Sequence, residues 1–295
     1  MGGQAPVDYR VGVLFPYLSR QDVHVFLQAV AVRDDPRDVF ARWLPMKMAA
    51  KPLPWTPTFP YAPMPDPLAR LVAERLRRLP VMASNYFDEP RPRVEYVALA
   101  NVISNQYHVD LDYVDRLSVR AAAARTPELL AAFCMPQPRL PDPVVTGTRT
   151  SQQVFIEDIA YLAGRPEVRR VNRGVVELRI RLIPQGSFLS CAEADTGSGP
   201  VVVAGNGTHR MIALLRAGHT HAPLLVRPAF SAQDLGLGRP TGFSPEILSS
   251  RRPPRLVDFL DPTFCGVVRA EKTLRSTRLV LQLDNEIPRP PDGEA

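Results

Sequence analysis

The feature that most constrains this chain is the stretch Val201–Arg227. Four consecutive apolar residues, Val201-Val202-Val203-Ala204, make a run of the kind found in a strand covered on both faces. A glycine-bearing turn, Gly205-Asn206-Gly207-Thr208-His209-Arg210, follows at once. Met211, Ile212, Leu214 and Leu215 then recur at helical spacing up to Gly218, a natural C-terminal cap. Ala222–Val226 is a second apolar strand. The helix between them is about two and a half turns, at 3.6 residues per turn. Together these residues predict a strand–turn–helix–strand unit.

The turn is placed for anion chemistry. Where a strand ends and a helix begins, unpaired amides and the positive end of the helix dipole converge, so phosphate is favoured. Gly205 and Gly207 let backbone approach a ligand without a Cβ. Thr208 can cap the helix or bond a phosphate oxygen. Arg210 supplies a planar, permanently charged fork. His209 can donate a hydrogen bond or move a proton near neutral pH. The blander readings are a tight turn for the glycines and a helix cap for Thr208. A P-loop is excluded, because no Gly-Lys-Ser/Thr follows; so is a dinucleotide fingerprint, whose third glycine is replaced by Arg210.

Composition adds little to this. Thirty-six basic residues against 30 acidic ones leave a net charge of +6. Only Lys47, Lys51 and Lys272 are lysines, so abundant Arg, Ala and Pro read as the codon bias of a GC-rich bacterial genome. No run approaches the roughly 20 apolar residues that span a bilayer, and residues 1–6 lack a signal-peptide pattern. A cytoplasmic location with no membrane partner is the expectation. Cys134, Cys191 and Cys265 show no CxxC spacing and are expected to be small core residues.

Along the chain, Val7–Phe15 predicts a strand and Gln21–Val32 a helix, with Val23, Phe26, Leu27 and Val30 inward. Prolines crowd Pro45–Pro67, which predicts an extended connector packed by Trp55, Phe59 and Tyr61. A helix follows at Asp66-Pro67. Val94–Leu99 is strand-like and Asn101–Asp110 loop-like; Asp110 or Asp112 then caps a helix carrying Val114, Leu117 and Ala121. Pro136–Pro143 is a second connector. Ser151 predicts a helix cap, with Phe155, Ile156, Ile159 and Leu162 inward. Val176–Leu182 alternates as a half-buried strand, and Arg278–Asp284 is strand-like. Residues 288–295 are expected to be disordered. Glu193 and Asp195 read as loop carboxylates, and His219 and His221 as surface or packing residues.

At the turn a family resemblance enters. Val201–Ala204, Gly207-Thr208-His209-Arg210, Ala213-Leu214 and Ala217-Gly218 are similar to the Gly-x-x-Arg box of ParB-type proteins and the Gly-Cys-His-Arg box of sulfiredoxins. Upstream, Val102-Ile103-Ser104-Asn105-Gln106 resembles the family's first box, which enters the same site. The resemblance implies a mixed α/β (α+β) fold with a ParB/sulfiredoxin-like core over residues 93–230. That core would carry an insertion near 140–189, an N-terminal extension over 1–92 and a C-terminal one over 231–295. It also implies a nucleotide (ATP, ADP or CTP) with Mg²⁺, held by Gly205, Asn206, Gly207, Thr208, His209, Arg210 and Gln106. Asp110 would bind the metal, and Asp110 and His209 would act on opposite sides of the phosphate. Thr208 stands in the place of the sulfiredoxin cysteine, which removes that nucleophile.

Three functions follow as expectations. The first is a nucleotide-binding protein that hydrolyses or transfers phosphate. The second is a DNA-associated protein of nuclease or partition type. The third is a nucleotide-gated binding module without catalysis. Pro228–Pro262 lacks paired amphipathic helices, which disfavours a partition protein with a helix-turn-helix. Oligomeric state is not legible.

Overall fold

The first strand joins both ends of the larger folding unit. β1 (Asp8–Val13) pairs antiparallel with β14 (Gly266–Glu271) on one side and with β4 (His108–Asp110) on the other. The computed structural model describes residues 8–50, 59–77, 93–136, 144–147, 151–156, 159–162, 167–172, 175–179, 182–184, 188–195, 199–231, 233–238, 242–271 and 279–284. The chain divides into two compact units, residues 1–137 with 188–273 and residues 138–187 with 274–295. The architecture is mixed α/β. Among the described residues no helix is long and apolar enough to cross a membrane.

Helix α1 (Arg20–Ala29) starts on a capping box: the Ser19 side chain accepts from the Asp22 amide while Asp22 accepts from the Ser19 amide. Helix α2 (Pro36–Ala49) corrects the proline argument, since Pro45 lies inside it. Proline removes one amide donor and clashes with the preceding turn. Two anchors on either side of it offset that cost: Trp43 Nε1 and Lys47 Nζ both donate to the Leu18 carbonyl, at 3.2 and 2.6 Å. Trp55 lies outside the described residues. Phe59, expected to pack the connector, is 70% exposed. Helix α3 (Asp66–Arg77) begins one residue before Pro67: Asp66, expected as the N-cap, is its first residue, and the Ala69 amide bonds the Pro65 carbonyl at 2.9 Å.

The main sheet has five strands in the order β12-β11-β13-β3-β2: Pro200–Ala204, Ser190–Asp195, His221–Pro228, Arg93–Ala98 and Tyr61–Ala62. All neighbours are antiparallel except β11 and β13. Val201, Val202, Val203 and Ala204 are all buried, as are residues 222–226 of β13. Fully burying one such side chain contributes roughly 1.5–3 kcal/mol. Glu193 and Asp195 belong to β11 rather than to a loop. Helices α4 (Leu111–Ala123) and α6 (Thr208–Arg216) pack on each other, and α5 (Pro127–Cys134) packs on α3. The three cysteines are free and buried; burial pushes their thiols up to about 12, as inert core groups require.

Asn101–Asp110 is not the polar loop its composition suggests. Val102, Ile103, Ser104, Tyr107 and Val109 are buried. Ile103 donates to the Val202 carbonyl (2.9 Å) and accepts from the Ala204 amide (2.8 Å), so this segment lies along β12. Its backbone polarity is satisfied by a neighbour that is distant in sequence. The Ser104 amide bonds the Pro254 carbonyl, and Leu256 bonds the Val102 carbonyl.

In the run Arg251-Arg252-Pro253-Pro254-Arg255 both prolines are buried, and Arg252 and Arg255 turn toward a buried acid. Asp258, 1% exposed, accepts from Tyr17 Oη (2.7 Å), Arg252 Nη2 (2.6 Å) and the Arg255 amide (2.9 Å). The Arg252 guanidinium lies 3.9 Å from the Phe264 ring centroid. Burial, then the charge of Asp258, raises the Tyr17 hydroxyl above its ordinary range. Between Pro228 and Pro262 the only helical turns among the described residues are 3-10, at Pro245–Ser249 and Leu256–Leu260.

The second unit is all strand among its described residues. β6 (Ser151–Ile156) pairs with β5 (Val144–Gly147) and β15 (Leu279–Asp284); β7 (Ile159–Leu162) pairs with β10 (Leu182–Pro184), and β8 (Glu167–Asn172) with β9 (Val175–Arg179). The helix predicted from Ser151 is therefore two strands. Phe155, Ile156, Ile159 and Leu162 fit a helical period, but Ser151–Ile156 acquires ladder partners on both sides, which local spacing cannot foresee. Residues 288–295 lie outside the described residues.

Candidate functional site

The predicted turn follows β12. Gly207 adopts φ 88°, ψ 25°, the left-handed region open to glycine, and is the N-cap of α6. A Cβ at Gly205 would stand 2.9 Å from both the carbonyl and the hydroxyl oxygen of Ser190, so the turn presses directly on β11. The Gly205 amide bonds the Ser190 carbonyl (2.8 Å), the Asn206 amide bonds Ser190 Oγ (2.9 Å), and Asn206 Nδ2 bonds the Phe188 carbonyl (2.9 Å). Ser190 and Phe188 are thus the supports of the turn. Neither carries a pattern that sequence reading could have singled out.

Thr208 is not the cap. It is the first residue of α6 and 5% exposed, and Gly207, which precedes it, provides no capping side chain. The first amides of α6 therefore begin without a side-chain acceptor at the N-cap. That leaves the positive end of the helix uncompensated from this position.

His209 and Asp110 do come together across 99 residues. The Asp110 amide donates to His209 Nε2 at 3.1 Å. A backbone N–H can only donate, so Nε2 is unprotonated and the neutral ring carries its hydrogen on Nδ1. Burial pushes the His209 pKa down, with the charge of Asp110 acting in the opposite sense. Asp110 Oδ1 accepts from the Tyr113 amide (2.7 Å), which makes Asp110 the N-cap of α4. Of the two predicted caps, Asp110 is the one used. Asp112 instead accepts from the Arg10 amide and Nε, at 2.9 and 2.7 Å.

Arg210 folds back toward Gly207 and donates through Nη1 to the Phe133 carbonyl near the end of α5, at 3.2 Å. Such a bond suits a helix C-terminus. Burial lowers the Arg210 pKa, and the like charge of Arg120 adds to that. Arg116 lies over the Tyr113 ring at 5.6 Å, and Tyr113 stands 5.4 Å from the His209 ring. Tyr113 is 41% exposed. Tyr113, Arg116 and Arg120 fall at positions i, i+3 and i+7, one face of α4. Among the described residues neither Arg116 nor Arg120 forms an ion pair, whereas Asp112 and Asp115 are engaged by Arg10, and Asp115 also by Arg216. Sequence reading missed this face; the signal was the spacing of two arginines behind an exposed aromatic.

Gln106 is held through its backbone, by Ser104 Oγ and by pairing with Gly242. Ile103, not Gln106, is the residue of the first box that lies against β12. Among the described residues no group of three or more His, Cys, Asp or Glu could hold a metal ion. His219 Nε2 donates to the Ala121 carbonyl (2.9 Å), and His221 stacks on Tyr96.

No family model matches the chain, and no curated protein or solved structure matches it.

Proposed function

We propose that this protein binds a nucleotide, ATP, ADP or CTP, with its phosphates at the start of α6, in the manner the resemblance to ParB/sulfiredoxin-like proteins implies. The observation that carries this reading is the convergence of Arg116, Arg120 and Arg210 on a helix N-terminus whose cap is a left-handed glycine. Three guanidinium groups gathered at one helix start repel one another, and an anion that joins them relieves that repulsion. Arg210 then exchanges the neutral Phe133 carbonyl for a charged oxygen, the stronger acceptor.

Binding is better supported than turnover. His209 Nε2 is committed to the Asp110 amide, and Asp110 Oδ1 to the α4 cap. Hydrolysis or transfer would need one of them released. Mg²⁺, where it takes part, would be held by the phosphates with Asp110, because such ions keep several waters and few protein ligands.

The test is thermal unfolding with ATP, ADP, CTP and pyrophosphate, with and without Mg²⁺. Ligand at 100 times its Kd stabilises the folded state by about 2.7 kcal/mol. Arg210→Ala is expected to weaken binding by about tenfold or more, the worth of a charge-assisted hydrogen bond, in a protein that still folds. No shift with any of the four ligands, or unchanged affinity in folded Arg210→Ala, overturns the proposal.

A further inference from the structure

At the opposite end of β12 from the turn, beside Pro200, the sheet opens into a cavity of about 550 Å³ lined by Phe59, Tyr61, Pro63, Arg93, Glu95 and Glu193 among others. The strand register explains the gathering. Arg93 and Glu95 alternate on β3, so they share a face; the neighbouring strand β2 brings Tyr61 to it, and β11, one strand beyond β13, brings Glu193. Arg93 donates through Nε to Glu95 (2.7 Å) and through Nη2 to Glu193 (2.6 Å), and its guanidinium lies 5.4 Å from the centroid of Tyr61. Tyr61 Oη also donates to Glu193.

Two properties exceed what knitting the strands together requires. One carboxylate would neutralise Arg93, yet there are two, so among the described residues that line it the cavity holds one negative charge in excess. Both remain partly accessible, at 29% for Glu95 and 20% for Glu193. At the rim Phe59 stands edge-on to Tyr61, with ring centroids 5.3 Å apart, and is 70% exposed. An aromatic face next to excess negative charge attracts cations twice, through the ring quadrupole and through the carboxylate. The volume falls within the range of small-molecule pockets.

We infer that this cavity is a binding site for a small organic cation, an ammonium or guanidinium carried on an apolar or aromatic body, with Glu95 and Glu193 receiving the charge and Phe59 the body. The site is separate from the phosphate-binding turn and does not rest on that reading.

The test is calorimetric titration of the full chain with three isosteres: phenethylamine as the cation, 2-phenylethanol as the neutral form and 3-phenylpropionate as the anion. Phenethylamine is expected to bind at least tenfold more tightly than the alcohol, with no binding of the carboxylate. Glu95→Gln should remove most of that preference. Phe59→Ala should weaken the cation and the alcohol alike. Arg93→Gln should strengthen cation binding severalfold, because it removes the resident competitor. Equal affinity for cation and alcohol, preference for the carboxylate, or an unchanged preference in Glu95→Gln overturns the inference. Should Arg93→Gln fail to fold, the Glu95→Gln and Phe59→Ala results decide it.

Discussion

Around Asp258 arginines meet a buried acid; at the start of α6 arginines meet one another. In the first region Arg252, 8% exposed, and Arg255 surround a carboxylate that Tyr17 also bonds, so both guanidinium groups share one internal acid. In the second, Arg116 and Arg120 sit on one face of α4 beside Arg210, while the acids of that helix are drawn to Arg10 and Arg216. The residue type is the same and the consequence opposite. A cluster built round a shared buried acid ties segments together, here the chain near Tyr17 and the chain near Arg252. A cluster left positive is open to a partner from outside. Counting arginines in the sequence could not separate the two.

The largest effect is expected where the acid is buried. Asp258→Ala leaves Arg252 buried without its acid and should cost about 3–5 kcal/mol, the usual loss when one member of a buried pair is removed. The midpoint of urea unfolding measures it, and nucleotide affinity of the remaining folded protein should not change. A small loss would mean that Asp258 is no keystone and that the two regions differ less than their geometry implies.

A second effect comes from the histidine beside the turn. His108 packs against the rings of Phe26 and Tyr107, and its buried Nδ1 has no hydrogen-bond partner among the described residues. Burial first, then the like charge of His209, lowers its pKa from 6.5 to about 4. The unfolded chain therefore takes up a proton below pH 6.5 that the folded chain refuses. Stability is fully present above pH 6.5 and falls as pH drops toward 4, by about 3 kcal/mol at most. His209, lowered in the same direction, adds to the fall. His108→Phe should flatten much of this slope in unfolding midpoints taken between pH 7 and pH 4.

The smallest change turns the open region into the closed one. Arg120→Glu gives Arg210 an acid neighbour and relieves a like-charge contact, for a gain of at most about 0.5 kcal/mol because position 120 is exposed and its charge is screened by solvent. Nucleotide affinity should drop at the same time. Stability and affinity moving in opposite directions would set this site apart from the cluster at Asp258; both falling together would show that Arg120 merely packs.

Several elements were legible because their signals are local. Val201–Ala204 is a buried run, Gly207 takes the backbone conformation a glycine allows, and Asp110 opens a helix as its chemistry predicts. Where the reading failed, distant partners had intervened. Pro45 sits within a helix because Leu18 anchors Trp43 and Lys47 around it. Ser151–Ile156 is a strand because β5 and β15 pair with it. Thr208 yields the cap to Gly207 because the turn is pressed against Ser190, sixteen residues upstream of Asn206, the residue it supports.

The sequence by itself determined a strand–turn–helix–strand unit, its glycine turn and the chemistry of His209 and Arg210, since these depend on neighbours within a few positions. Only the tertiary structure decided what those groups touch: His209 the Asp110 amide and Arg210 the Phe133 carbonyl, while Arg116 and Arg120 form no ion pair among the described residues. Periodicity is a property of the chain, and it sets which face a residue occupies. Charge balance is a property of space, and it is settled only when segments a hundred residues apart are brought within a few ångströms.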